Sequence, residues 1–361
     1  MTNSHLHDSI HAQPEALREL LTDWTGAEQI AEKLKGARRV LLAGIGTSFH
    51  AAIVGEYLLR RAGADAWAVR SFEFVTYPRA LQAGDAVIVI SHRGSKLHGI
   101  KALEQATGAR VFTAGITGKG TKMQGADITL QTVEQELSST HSISYTTTLT
   151  RLAQIAVRLA QLNGLAEQGQ HLDQGLTSIP KLMEGILARE DEVRQVAQDA
   201  VQQQRRIYFI GAGPNAVSAS EGALKAKEAA YVTAEGFELE QAIHGPMVAF
   251  EEHDLLIPIS VEGAAQQRVG DFLRGLSEIG PRVCLLGSAP DKEMEQLFQR
   301  TGWSRFALAN GADIAEELTP LLAAVPVQLL ADFLAKARGT NADSFRKEQE
   351  AYRRAGERYA L

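Results

Sequence analysis

A single cysteine, Cys284, occurs in 361 residues, which excludes an internal disulfide. Its apolar setting, RVCLLG, makes it a buried, inert thiol in a reducing compartment. Long apolar runs are missing as well: no segment approaches the ~20 apolar residues that cross a bilayer. The opening MTNSHLHDSIHAQPEAL has no apolar core of the kind a secretory signal carries, so the cytoplasm is the expected location. Nor is positive charge in excess. A formal net charge of -6 and a pI near 6.0 argue against nucleic acid or an anionic membrane as main partner, because those surfaces require clustered Lys and Arg. A small molecule is the expected partner.

What is present is ordinary globular material, 45% hydrophobic and 22% charged, enough chain to bury more than one core. His5, His7 and His11 stand at i, i+2 and i+6, a set that fits a solvated arm better than a metal site. No metal is expected.

Internal repetition is informative. ARRVLLAGIG, with Gly44 and Gly46, is echoed by QRRIYFIGAG, with Gly211 and Gly213, at an offset of 213 minus 46, or 167. DAVIVIS at 85 to 91 and HDLLIPIS at 253 to 260 form a second pair, each apolar run reached through an aspartate. ARVFTAGI at 109 to 116 and PRVCLLGS at 281 to 288 form a third. Short apolar runs bounded by glycine read as strands buried on both faces, and helical periods lie between them. Each half is therefore expected to be a right-handed parallel sheet covered by helices. Residues 166–204 read as a helical connector, and the charged segment from Asn341 as a helix or arm.

Open parallel sheets bind ligands at the carboxyl ends of their strands. Two such ends in the first half carry anion-binding chemistry: GIGTS, with Gly46, Thr47 and Ser48, and SHRGSK, with Ser91, His92, Arg93, Ser95 and Lys96. Hydroxyls, amides and cations gathered at a helix start favour phosphate; a Ser-capped helix start is the plainer reading of the second. The equivalent turn in the second half, SVEGAA, has Glu262 and no cation. SSTHSISYTTTLT, at 138 to 150, opens a long helix and fits either capping or sugar contacts. GAGPNA at 211 to 216 matches a loose G-x-G-x-x-A pattern, but GIGTSF lacks the third small residue and the nearest acid after AWAVRS is Glu73. No nicotinamide, flavin or other cofactor is expected.

In EGALKAKEAAYVTAEGFELEQAIHGP, residues 221 to 246, Glu221, Lys225 and Glu228 fall on one helical stripe ahead of His244. Such a stripe is either a solvated salt-bridge ladder or an acid/base site.

Taken together, QPEAL near residue 13, G-x-G-T-S at 44 to 48, S-x-x-G-S at 91 to 95, TTTLT at 146 to 150, EGALKAKE at 221 to 228, HGP at 244 to 246 and VPVQLLADFLAKARGTNAD at 325 to 343 carry a family likeness. The chain resembles the double sugar-isomerase (SIS) domain family, most closely the isomerase half of the glucosamine-6-phosphate synthases (glutamine–fructose-6-phosphate aminotransferases). The resemblance implies two tandem doubly wound parallel-sheet α/β domains, flavodoxin-like three-layer αβα, with a helical connector. Its expected boundaries are an N-terminal helical arm at 1–34, SIS domain 1 at 35–165, connector at 166–204, SIS domain 2 at 205–340 and tail at 341–361.

The resemblance also implies roles. Glu228 is the base that moves a proton between C1 and C2 of an open-chain sugar phosphate, and His244, supplied by a neighbouring subunit of a homodimer, opens the ring. Lys225 stabilises enediolate charge, and Glu221 holds a substrate amine or orients Lys225. The strand-end residues named above, with Ser139 and His141, are the expected substrate and phosphate contacts.

This chain also departs from the family. No glutaminase half is present, so glutamine hydrolysis is not expected. The phosphate loop, usually S-Q-S-G-E-T, has His92, Arg93 and Lys96 in place of neutral or acidic residues, which suits a more anionic or differently placed head group. S-T-K is replaced by His141, Ser142 and Ile143, and Glu350 stands where the synthases carry a tail lysine, with Lys347 the nearest amine. The expected activity is aldose–ketose isomerisation, or deamination or deglycation of an amino-sugar phosphate. The alternative is a non-catalytic sugar-phosphate sensor.

Overall fold

The computed structural model describes residues 4–78, 80–288, 291–308 and 313–359. These fold into two compact units. The first comprises Ala12–Leu137, His141–Pro180 and the described part of Lys347–Leu361; the second comprises the described parts of Met1–His11, Ser138–Thr140 and Lys181–Arg346.

The first unit is built on five parallel strands: β1 (Arg39–Gly44), β2 (Ala66–Arg70), β3 (Asp85–Ile90), β4 (Phe112–Thr117) and β5 (Ile128–Gln131), in the order β2-β1-β3-β4-β5. Strand β3, DAVIVI, is buried throughout, as its unbroken apolar run requires in a sheet covered on both faces. One face packs Leu41, Val87 and Val89 against Ala102, Leu103 and Ala106 of the helix Leu97–Gly108. The helix Thr47–Arg61 crowds Leu42 through Gly55, where a Cβ would lie 2.7 Å from Leu42 Cδ2.

The second unit repeats the plan with β6 (Ile207–Gly211), β7 (Ala234–Glu238), β8 (Leu255–Ser260), β9 (Arg282–Gly287) and β10 (Ser304–Phe306), in the order β10-β9-β8-β6-β7. Read from its own first strand, the order is that of the first unit. The duplication reaches the ion pairs below each sheet: Arg39 holds buried Asp85 at 3.0 Å, and Arg206 holds buried Asp254 at 2.7 Å. The helix Thr319–Arg338 is apolar nearly all round and packs against the helices Pro214–Ala230 and Glu190–Gln202. By length and composition the segment Glu316–Arg338 could cross a membrane, but its most apolar stretch is wholly buried, as a core helix is.

The chain from 166 to 202 is helical, in Ala166–Leu187 and Glu190–Gln202. Cys284 lies buried in β9, where desolvation raises its thiol above the ordinary range and keeps it unreactive. The solvated-arm reading of the N-terminal histidines is overturned. Residues His5–Leu20 form a helix with Leu6, Ile10 and Leu17 buried. His7 is buried too, with Nδ1 3.0 Å from Asp332, and His11 pairs with Glu190 at 2.7 Å. Lys336, 2.7 Å from Asp332, and Arg194, 2.8 Å from Glu190, already supply positive charge there.

Candidate functional site

In a sheet of order 2-1-3-4-5 the ligand crevice opens where the chain direction of travel reverses, between the first and third strands. In the first unit that point is flanked by GIGTS after β1 and SHRGSK after β3. Gly44 and Gly46 are obligatory for different reasons. A Cβ on Gly44 would come within 2.3 Å of the Ser48 carbonyl oxygen, so strand and helix touch there. Gly46 has φ 57° and ψ -129°, a conformation essentially confined to glycine, and open space lies above it.

Across the crevice Ser91 is only 5% exposed, yet its Oγ has no hydrogen-bond partner. Both ring nitrogens of His92 are likewise buried and unpartnered. Orphaned buried polar atoms are rare enough in proteins to require an explanation, and a bound ligand is the simplest. Burial pushes His92 down to about 4, against the opposing pull of Glu136 and with help from His141 and Arg93.

Glu136 was not legible as a site residue. It is nearly sealed from solvent and caps the helix Ile143–Leu162 from outside. Oε1 accepts from Ser142 N (2.8 Å) and Ser142 Oγ (3.1 Å). Oε2 accepts from Ser144 N (3.0 Å), from Ser144 Oγ, and from His141 Nδ1 (3.2 Å). Its carboxyl falls to about 2: desolvation opposes ionisation, but His141 and the serine donors together outweigh it. With both oxygens so engaged, Glu136 is a poor metal ligand and a good orienting group. His141 is held by it, with its ring edge-on to His92 at 5.6 Å between centroids. Two residues that depart from the family pattern, His92 and His141, are thus brought together.

The threonines of TTTLT are engaged within the protein, and Thr146 Oγ1 donates to Gln13 Oε1 at 2.7 Å. Thr147, Thr148 and Thr150 return hydrogen bonds of 2.6 to 2.9 Å to the carbonyls of Ile143, Ser144 and Thr146, and all are buried. Ser95 is exposed. Ser139, in the second unit, donates its backbone N–H to Asp343 at 2.9 Å.

The corresponding turns of the second unit show what the scaffold holds when left to itself. Gly211 approaches Asn215 as Gly44 approaches Ser48, at 2.0 Å from a built Cβ to the carbonyl oxygen. Gly213 has φ 53° and ψ -131°. Ser260, the counterpart of Ser91, is again buried with an unpartnered Oγ. Here, though, the crevice is filled. The Glu316 carboxylate accepts a backbone hydrogen bond from Ala264 and lies so close to Gly263 that a Cβ there would meet Oε2 at 2.5 Å. Its carboxyl is raised by burial and, after that, by Glu317.

The second unit also carries the acid/base stripe. On Pro214–Ala230, Lys225 Nζ lies 2.5 Å from Glu228 Oε2 and 3.4 Å from Glu221 Oε1. Side-chain exposure is 0% for Glu221, 1% for Lys225 and 20% for Glu228. A solvated ladder is excluded by those values. Tyr231, left-handed at φ 56°, stops the helix, and Arg338 and Thr340 cap it by donating to the carbonyls of Ala230 and Ala229. His244 is not part of this cluster. An edge strand, β7, and the short helix Leu239–Ile243 intervene, and the imidazole is 73% exposed with Glu240 as its partner at 3.2 Å.

A twinned parallel α/β scaffold with glycine-lined strand ends defines a tandem doubly wound protein. A model of the SIS domain matches residues 33–158 and 200–296, and the chain belongs to that family. It is 28% identical over 345 residues to a glutamine–fructose-6-phosphate aminotransferase (isomerizing) of Thermococcus kodakarensis, covering 94% of this chain and 54% of that protein. The likeness to the same enzyme of Gloeobacter violaceus is 30% over 351 residues, covering 92% and 56%. The chain thus spans about half the length of the curated relatives it matches.

Among solved structures, the C-terminal domain of glucosamine-fructose-6-phosphate aminotransferase from Francisella tularensis superposes with a TM-score of 0.85 at 21% identity, covering 95% of this chain and 98% of that one. Tagatose-6-phosphate ketose/aldose isomerase from Escherichia coli gives 0.79 at 18%, covering 95% of each. These likenesses speak to the fold.

Proposed function

We propose that this protein is a phosphosugar-processing enzyme that moves a proton between C1 and C2 of a sugar or amino-sugar phosphate. The observation that carries this reading is the Glu221–Lys225–Glu228 cluster. It is a desolvated lysine between two carboxylates, of which Glu228 alone retains exposure. Burying such a group is costly unless every charge is compensated, and a purely structural role would be served as well by apolar side chains. Glu228 is the base: its carboxylate takes the proton α to the carbonyl, leaving an enediol or enamine, and returns it to the neighbouring carbon. The Lys225 ammonium offsets the charge that develops on the substrate oxygen. Glu221, sealed on every side, orients Lys225 rather than meeting a substrate amine. The Ser91 and Gly46 turns of the first unit are assigned to binding a phosphate group.

Aldose–ketose isomerisation, deamination and deglycation share this step. The isomerase and deaminase names of structural neighbours, the latter a glucosamine-6-phosphate deaminase from Thermotoga maritima with TM-score 0.70, agree with that range. His244, exposed on its own chain, is assigned to ring opening in a second copy, so a cytoplasmic homodimer belongs to the same proposal.

The test is proton exchange in deuterated water with glucosamine 6-phosphate, fructose 6-phosphate and related esters, read by NMR. Deuterium should enter at C1 or C2, and Glu228→Gln should abolish this while retaining binding. Exchange that survives the substitution removes Glu228 from the mechanism. Binding without exchange across the panel identifies a sensor.

A further inference from the structure

The loop after β3 carries more positive charge than a phosphate monoester uses. Arg93, Lys96 and Lys347 lie in the first unit, and none has an acidic partner among the described residues. They repel one another: Lys96 is held below its ordinary range by burial first, then by Arg93 and Lys347. Arg38 and Arg39, at the other end of the same sheet, by contrast share an acidic partner, Asp85. A phosphate monoester carries about -1.5 to -2 at neutral pH. Set against three cations, it leaves about one positive charge uncompensated.

The second unit offers a control. There the same turn receives a single carboxylate, Glu316, on glycine and backbone N–H alone. A carboxyl group thus enters that turn on backbone contacts, and the cations of the first unit are additional to such contacts. The buried, unpartnered Ser91 Oγ marks where the first group sits.

We propose that the β3 loop selects a phosphate ester bearing a second anionic group, a carboxylate or another phosphate, which Arg93, Lys96 and Lys347 hold together. This inference rests on the assignment of the loop to phosphate, but not on Glu228 chemistry.

The experiment is isothermal titration at about 0.15 M salt with fructose 6-phosphate, 6-phosphogluconate and fructose 1,6-bisphosphate, against the wild type, Arg93→Gln/Lys96→Gln and Lys347→Gln. The wild type should bind at least one of the doubly anionic esters ~10-fold or more tighter than fructose 6-phosphate, as one charge-assisted contact provides. The double variant should bring the three ligands within ~3-fold of one another, because the doubly anionic esters lose more affinity than fructose 6-phosphate does. Lys347→Gln should remove part of the preference, and Arg93→Lys should keep most of it.

An equal loss for all three ligands would assign the cations to the phosphate itself and overturn the inference. So would a wild type without preference, or one that binds none of the esters. Proton exchange that fails while the preference persists would sink only the enzymatic proposal. Exchange that succeeds without the preference would sink only this one.

Discussion

Replacing Glu136 with glutamine tests the capping cluster most directly. The carboxylate takes two backbone N–H groups, two serine hydroxyls and one imidazole at the start of Ile143–Leu162. An amide has a single acceptor oxygen, and its NH2 would face either the Ser142 or the Ser144 donors, orphaning a backbone N–H. The fall from 4.5 to about 2 corresponds to about 3 kcal/mol of native-state preference for the charged form. Loss of one or two charge-assisted hydrogen bonds, about 1.5–3 kcal/mol each, gives a similar figure. In a unit of this size about 3 kcal/mol lowers the melting temperature by roughly 6–12 °C. Because the folded value is depressed, this stability is complete above pH 4.5 and is lost as pH falls toward about 2. The gap between wild type and Glu136→Gln, from denaturant melts and amide exchange at residues 142–146, should therefore be constant from pH 7 to 5 and shrink below. A gap under ~1 kcal/mol at pH 7, or one that does not close in acid, would refute the reasoning.

Other outcomes follow from the same geometry. Depression of His92 from 6.5 to about 4 means the unfolded chain binds the proton first, so stability declines as pH falls between those values. His92→Gln, the usual family residue, should flatten that decline in melts from pH 7 to 4. Lys225→Met should destabilise the second unit by about 3–5 kcal/mol by stranding buried carboxylate charge, and adding Glu221→Leu should recover part of the loss in a double-mutant cycle. Gly44→Ala should fail to yield folded protein, because the new Cβ meets backbone rather than a movable side chain. Gly46→Ala should fold but melt earlier, at a cost of about 1–3 kcal/mol.

The central strands β1, β3, β4, β6, β8 and β9 were legible because burial on both faces leaves an apolar run in the sequence. The edges β5, β7 and β10, ITLQ, AEGFE and SRF, have no such run, since a half-covered strand needs fewer apolar side chains. β7 lies hidden within the segment that joins Glu228 to His244. The Glu221, Lys225, Glu228 stripe was visible from spacing alone, but its burial was not: spacing places residues on one face without saying what covers it. Glu136 and Glu316 left no signal. Each is a lone acid whose role arises only when the fold brings distant amides to it. The hydroxyls of 146 to 150 fitted either capping or sugar contacts in the sequence, and those of Thr147, Thr148 and Thr150 bond back along their own helix.

Glu316 also bears on how a duplicated receptor specialises. A carboxylate tethered to the chain reaches its cradle at an effective concentration in the millimolar range or above, so a dissolved anion competes for that place at a standing disadvantage. One half of a twinned protein can thereby retire from binding while keeping every glycine its architecture depends on. Trimming that tether to alanine would empty the crevice and leave the Ala264 amide without its carboxylate acceptor.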